Sequence, residues 1–549
     1  MDHKGLNQEQ REHLERVMRF TEPLGPISAD RLVDHPIASK RLFEKQNDVQ
    51  MSAVSGSGII IGRKGSGKTA FLDYLRTTCP HTVVYLDAPN VFPTILKSIR
   101  GVFGVNSPNV EIVAHLWEML VWCTVFGALL NEPGDARLVA IRRFAIDIGF
   151  SENNEPADII RRVVLSLAKR SEQAGYGIET QLDLLELVDG SGKLYTTALE
   201  TAKRIVTPLG RPIGQARVLV LMDTMERYRL EQDAANDALG GLIRYLGVLA
   251  ENEWLLDVRF CLPAELYETF RRASSNVTKD FSTQAVLHWT SGELWRIAAH
   301  RLALYLELYD EHSLERLLAL NVAQDRASSI ALFRKLLPPE LATEPKLGQD
   351  AIGQHLEQSM TYIARHTQLL PRDFLHILNR ILYRALDPAS GSLGEITQRM
   401  VLDGVKEAVP TISDGIRSAF EYRYPHLWDV CAAAIPELHR RFGEGELHTV
   451  FNQHVKGVLK RLAEAGREAD MSFHEFKRML VETGAIGKQI DETDRFWECQ
   501  FEYSVPGEMV VSSRDMLCVH PLFNARFSSL VNGTAEKLVY PYGVDPDFE

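Results

Sequence analysis

The chain has 549 residues, 45% of them apolar and 24% charged, and carries a formal net charge of −12. That length exceeds one ordinary domain and points to three or four at roughly 150 residues each, while the apolar fraction excludes a disordered or fibrous chain. The negative balance excludes a protein whose whole surface is a nucleic-acid footprint, although it leaves room for a local basic patch.

Residues 1–50 read as a helical leader: a polar helix from Gln8 to Phe20, a break at Pro23-Leu24-Gly25-Pro26, and a short amphipathic stretch through Leu42-Phe43. The opening residues Met1 to Gln8 have no apolar signal core. Six scattered cysteines, Cys79, Cys123, Cys261, Cys431, Cys499 and Cys518, lack C-x-x-C or zinc spacing. They predict reduced, mostly buried thiols and a cytoplasmic setting.

Residues 51–290 read as a nucleotide-binding α/β core with a helical insertion at about 93–210. Gly58-Ile59-Ile60-Ile61 is a short apolar strand, and Ala70 to Arg76 reads as a helix start. Between them, Gly62-Arg63-Lys64-Gly65-Ser66-Gly67-Lys68-Thr69 is a complete G-x-x-x-x-G-K-[ST] phosphate loop in the strand–loop–helix setting that the motif requires. Its glycines let backbone N–H groups turn inward around a polyphosphate, and the helix start, where Ala70 lies, favours negative charge. Lys68 is expected to reach the β- and γ-phosphates of ATP, and Thr69 to hold Mg²⁺.

Four further apolar strands follow, over Thr82–Asp87, Arg217–Asp223, Leu256–Leu262 and Ala285–Trp289. Continuous apolar strands separated by helices indicate a parallel sheet covered on both faces, hence five strands in all. In the insertion, helices are expected over Ile112–Leu130, Ala136–Ile148 and Pro156–Ala174. His115 and Glu118 interrupt the first of these, leaving fewer clean residues than the ~20 a membrane span needs, so it reads as a buried helix, without membrane contact.

Asp223 closes the third strand at the sheet's C-terminal edge, where open α/β sheets bind ligands. It is the candidate metal-anchoring acid, reaching the magnesium from the strand adjoining that of the phosphate loop. Glu226, three residues on, is the candidate general base for an attacking water, with Lys68 completing the catalytic set. Asp87, ending the second strand, either faces the metal or forms a turn. Arg271-Arg272 is either a solvated basic pair or an arginine finger acting on a neighbouring subunit.

Residues 291–423 read as a helical lid. From 424 to 549 helices ending at Phe473–Leu480 give way, through Gly484-Ala485-Ile486-Gly487, to β-rich runs Arg495–Ser504 and Glu508–His520 around Pro506-Gly507. Helices followed by such a hairpin read as a winged-helix-like α+β domain.

Asp223-Thr224-Met225-Glu226-Arg227 resembles the D-x-x-[DE]-R element of KAP-type and STAND-type P-loop ATPases, regulatory NTPases of the ASCE division related to AAA+ proteins. As an order of elements the resemblance covers residues 40 to about 400, and it departs at Thr224, where many relatives carry a second acid. At the end of the fourth strand, where these families keep a polar sensor, only Glu265 is on offer. Leu369-Leu370-Pro371-Arg372-Asp373-Phe374-Leu375 looks like the proline motif that opens a lid helix in STAND proteins, which implies that Arg372 points at the phosphates as a second sensor. His520-Pro521-Leu522-Phe523 resembles a C-terminal signature of bacterial STAND-like ATPases, with a buried turn as its physical role.

The function expected is a soluble, Mg-dependent regulatory ATPase whose nucleotide state sets lid position and assembly, in bacterial stress or phage defence by resemblance, acting as a homo-oligomer or with a protein effector. Two alternatives stand beside it: a DNA-associated AAA+ protein of origin-recognition or loader type, and a nucleotide-binding scaffold that does not hydrolyse. From Asp429 onward the chain has thirteen Lys/Arg against twenty Asp/Glu, a net of −7. That disfavours DNA, whose binding depends on neutralising phosphates, though Lys477-Arg478 keeps the possibility open.

Overall fold

The computed structural model describes residues 6–32, 34–43, 58–79, 82–86, 110–130, 138–147, 197–205, 218–223, 240–247, 256–266, 284–310, 326–345, 354–421, 423–467, 469–504, 509–530 and 537–545. Its backbone divides into two units. One comprises Asn47–Gly62 and Phe71–Leu287; the other comprises Met1–Gln46, Arg63–Ala70 and His288–Glu549.

The first unit is built on the five strands expected from sequence: β1 (Gly58–Gly62), β2 (Thr82–Leu86), β3 (Val218–Met222), β4 (Leu256–Pro263) and β5 (Gln284–Val286). All pairings are parallel and the order is β2-β3-β4-β1-β5. This is a parallel α/β sheet of P-loop NTPase-like kind. Strands Ile59–Ile61 and Val218–Met222 are buried along their length, as both-face coverage of a parallel sheet requires.

The order corrects one expectation. Asp223 does not come from a strand adjoining that of the phosphate loop, because β4 lies between β1 and β3. Two strand spacings, ~10 Å, therefore separate the two strand ends laterally. A parallel strand is reached through a crossover, and its hydrophobicity carries no information about which neighbour it joins. The fifth strand is also shorter than expected, ending at Val286, although Leu287 N–H still donates to the Ile61 carbonyl at 2.7 Å.

Helix α1 (Lys68–Thr78) starts at the loop lysine. Helix α2 (Val110–Leu130) buries Trp117, Leu120 and Val121 completely against a core that also contains Val84, Val220 and Met222. Its Val113–Leu130 stretch is long and apolar enough to cross a membrane by composition, and 67% of it is buried inside the protein. The two interruptions read from sequence lie together on its exposed side, where His115 Nδ1 meets Glu118 Oε2 at 3.2 Å. Among the other helices expected in the insertion, Val139–Asp147 is present, while 156–174 lies outside the described residues.

In the second unit the leader packs on helices rather than forming a domain of its own. Its helix Gln8–Val17 is closed by an Asn7–Gln10 capping box. Leu24 N–H donates to Asn379 Oδ1 at 2.8 Å, and Arg301 bonds the carbonyls of Leu24 and Pro26. Helix α3 (Ser291–Tyr309) opens with a Thr290–Glu293 capping box. Its Trp295 packs edge-on against Phe374 of α4 (Pro371–Ala385), with ring centroids 4.7 Å apart. Proline sits without cost in the first turn of α4, where its missing N–H has no partner to lose. Helix α5 (Gln398–Phe420) follows.

The 291–423 region, expected to be helical throughout, also contains an antiparallel pair, β6 (Glu340–Pro345) and β7 (Gln354–Gln358). These short, polar segments lack the alternation that marks a strand; only pairing makes them one. Glu357 points inward from β7 and takes Arg365 in a two-pronged ion pair, Nε to Oε2 at 2.8 Å and Nη2 to Oε1 at 2.7 Å, with both side chains almost wholly buried.

Toward the C-terminus a second sheet has the order β12-β10-β9-β11-β8, with β8 (Arg441–Phe442), β9 (Ile486–Glu492), β10 (Phe496–Gln500), β11 (Leu517–Val519) and β12 (Leu538–Pro541). Helix α6 (Phe473–Glu482), closed by a Ser472–Glu475 capping box, leads into β9 through Gly484 at φ +71°. The hairpin differs from expectation. It joins β9 to β10 around residues 493–495, so Ile486-Gly487, read as a turn, already belongs to a strand. Of the run Glu508–His520, only Leu517–Val519 is a strand, and it pairs with β9 and β8; residues 505–508 lie outside the described residues.

Removing one member of a buried ion pair leaves the other charge uncompensated. Glu357→Ala is expected to destabilise the protein by about 3–5 kcal/mol, and Glu357→Leu with Arg365→Met to recover most of that loss, as read from urea denaturation midpoints.

Candidate nucleotide-binding site

Between β1 and α1 the chain makes a tight loop whose shape rests on Gly65 at φ +94° and Gly67 at φ +95°, a region that L side chains rarely enter. Ser66 N–H closes a turn onto the Arg63 carbonyl at 3.0 Å. Three of the loop's carbonyls have further partners. Lys68 Nζ donates to the Arg63 oxygen at 3.1 Å, the Arg372 amide to the Gly65 oxygen at 3.4 Å, and the Trp289 indole to the Ser66 oxygen at 2.8 Å.

Of the residues expected to bind nucleotide, Gly62 ends β1, Arg63, Lys64, Gly65, Ser66 and Gly67 form the loop, and Lys68, Thr69 and Ala70 open α1. Lys68 is only 4% exposed. Arg372 lies at the start of α4 against this loop, so close that a Cβ on Gly65 would come within 3.2 Å of Arg372 Cβ. Lys64 Nζ reaches Ser418 Oγ on α5 at 3.0 Å.

In the other unit, Asp223 directly follows β3 at the C-terminal edge of the sheet, the edge at which β1 ends in Gly62. Its Oδ2 accepts from the Tyr85 hydroxyl of β2 at 3.1 Å. Glu265 lies in the turn following β4, the strand between them. Glu226, Asp87 and Arg271-Arg272 lie outside the described residues.

Asp373 was not among the residues expected to matter, yet it sits in the first turn of α4 beside the loop. Its Oδ2 is buried without a hydrogen-bond partner. Burial pushes this carboxyl up to about 7, against the pull of the Arg372 and Arg63 charges. Trp289 was read only as the end of a strand, and Tyr85 was not singled out: each bonds a partner distant along the chain.

Among the described residues, no group of three His, Cys, Asp or Glu could hold a metal. Thr69, in one unit, and Asp223, in the other, each carry an oxygen donor of the hard kind that Mg²⁺ takes beside substrate phosphates.

The His520 turn is structural, as expected. The ring is fully buried, its Nδ1 accepts from Leu522 N–H at 3.0 Å to cap the following helix, and its Nε2 meets the Tyr503 hydroxyl. Burial, with His366, Arg365 and Arg63 nearby, holds it well below the usual histidine range and therefore neutral. The basic pair on α6 is similarly occupied. Lys477, 12% exposed, bonds Glu444 at 2.7 Å, and Arg478 lies 3.7 Å from Glu482.

No family model matches the chain, and no curated protein matches it. Among solved structures, the ORC2 protein of Aeropyrum pernix, determined as ADPNP–ADP complexes, aligns with 90% of this chain and 92% of its own, at 14% identity and a TM-score of 0.35. At that distance the reading of the site rests on its own residues.

Two outcomes follow. Gly67→Ala, which has open space around its Cβ but an unfavourable φ, is expected to weaken nucleotide binding through backbone strain alone, and Gly65→Ala to do so more, as measured by titration with a fluorescent ATP analogue. Asp373 binds its proton more tightly folded than unfolded, so it costs stability increasingly as pH rises from about 4 toward 7, and fully above that. Asp373→Asn should therefore raise the melting temperature at pH 8 and leave it nearly unchanged at pH 4.5.

Proposed function

We propose that this chain is a Mg-dependent P-loop ATPase of the AAA+-related regulatory kind, in which nucleotide state sets the position of the helical region and the assembly of the protein. The observation that carries this reading is the edge shared by two strand ends. The phosphate loop follows β1, Asp223 follows β3, and β4 stands between them in a parallel sheet.

In this reading the loop amides and Lys68 bind the β- and γ-phosphates of ATP. Thr69 and Asp223 are the residues that would hold Mg²⁺, and the ion would supply positive charge against that developing on the phosphates. Glu226 accepts the proton of the attacking water, and Arg372, held beside Gly65, adds positive charge at the phosphate end. The element order and the acidic box favour a STAND-like or KAP-like relative, with residues 424–549 as a winged-helix-like module that binds protein. A homo-oligomer or an effector partner in bacterial stress or phage defence fits such a switch, and a cytoplasmic setting fits its free cysteines.

Lys477 and Arg478 argue against the loader alternative, since both already engage carboxylates in an acidic region. Salt-dependent duplex binding lost on changing both to Glu would favour it instead.

Lys68→Ala is expected to lose ATP binding by at least an order of magnitude, and Glu226→Gln to keep binding while losing turnover 10²-fold or more. Isothermal titration and phosphate release check these, and turnover by neither wild type nor Glu226→Gln would mark a binding switch. The native mass should increase with a slowly hydrolysed ATP analogue.

A further inference from the structure

Arg63 holds two things at once. Its carbonyl accepts from the Lys68 ammonium at 3.1 Å. Its guanidinium lies over the Phe420 ring at 5.4 Å and over the Tyr503 ring at 5.7 Å. Phe420 closes α5 and is 5% exposed; Tyr503 follows β10 in the C-terminal region and is 7% exposed. The two rings form an aromatic slot in which a planar cation is held by both π faces.

The slot is tied into the C-terminal sheet. Tyr503 stacks on Phe501, and its hydroxyl meets His520, the residue that caps the helix after β11. Asp373, on the first turn of α4, is close enough for the Arg63 charge to act on its carboxyl. The peptide that anchors the loop lysine is thus also the one whose side chain is seated among C-terminal residues.

We infer that Arg63 is a positioning residue that links occupation of the phosphate loop to the seating of the C-terminal region, through the Phe420–Tyr503 slot. This rests on the nucleotide reading above. When Lys68 turns its donors toward phosphate oxygens, one of the two bonds on the Arg63 carbonyl is shared or lost, leaving the one from Ser66 N–H. The 63 peptide then rotates, and its side chain moves within the slot. Packed aromatic contacts have few alternative arrangements, so a small shift at the loop becomes a discrete change at the far end of the side chain.

The test is amide hydrogen exchange over residues 496–523 of the full chain, with and without ATP and Mg²⁺, alongside ATP affinity. Wild type should change its exchange rate there by about fivefold or more on binding. Phe420→Leu and Tyr503→Leu each remove one wall of the slot without touching the loop. Both should bind ATP with near wild-type affinity and lose this response, as should Arg63→Met where it still binds. Tyr503→Phe, which keeps the ring, should retain it. Two leucine variants that respond like wild type, or a wild type that binds ATP with no change over 496–523, would overturn the link and leave the ATPase reading standing. A wild type that binds no ATP would overturn that reading and the link with it.

Discussion

The loop from Arg63 to Gly67 belongs to neither a sheet ladder nor a helix, so its peptide groups need partners from elsewhere. Three carbonyls find them: Arg63 in the Lys68 ammonium, Gly65 in the Arg372 amide, Ser66 in the Trp289 indole. These bonds fix the shape of the loop. The Arg372 and Trp289 bonds run within the unit that also includes the helical region and the C-terminal sheet.

Charge around the loop is handled differently from charge deeper in the unit. Glu357 and Arg365 neutralise one another directly, with four atoms engaged. Asp373 instead sits near two arginines without a hydrogen bond to Oδ2. The first arrangement is a fixed fastening. The second keeps a carboxyl partly protonated near neutral pH beside the loop, where burial outweighs the pull of both guanidinium groups.

Chemistry at the sheet depends on strand order as much as on residue type. β4 stands between β1 and β3, so the strand ends at Gly62 and Met222 are not neighbours in the sheet.

Sequence alone determined what local physics encodes. Five apolar runs announced five strands, the glycine spacing of residues 62–69 announced the loop, and Pro371 marked the start of α4, because each depends on propensities and periodicities carried within a few residues. It missed β6 and β7, whose polar residues become strands only by pairing, and it misplaced the C-terminal hairpin, where turn-like Ile486-Gly487 is held extended by pairing with Val519 and Cys518 of β11. It could not give the neighbour of β1, the indole on Ser66, or the aromatic walls around Arg63. Those contacts join residues from about 200 to 440 positions apart, and only the folded chain, by bringing distant segments into register, decides them.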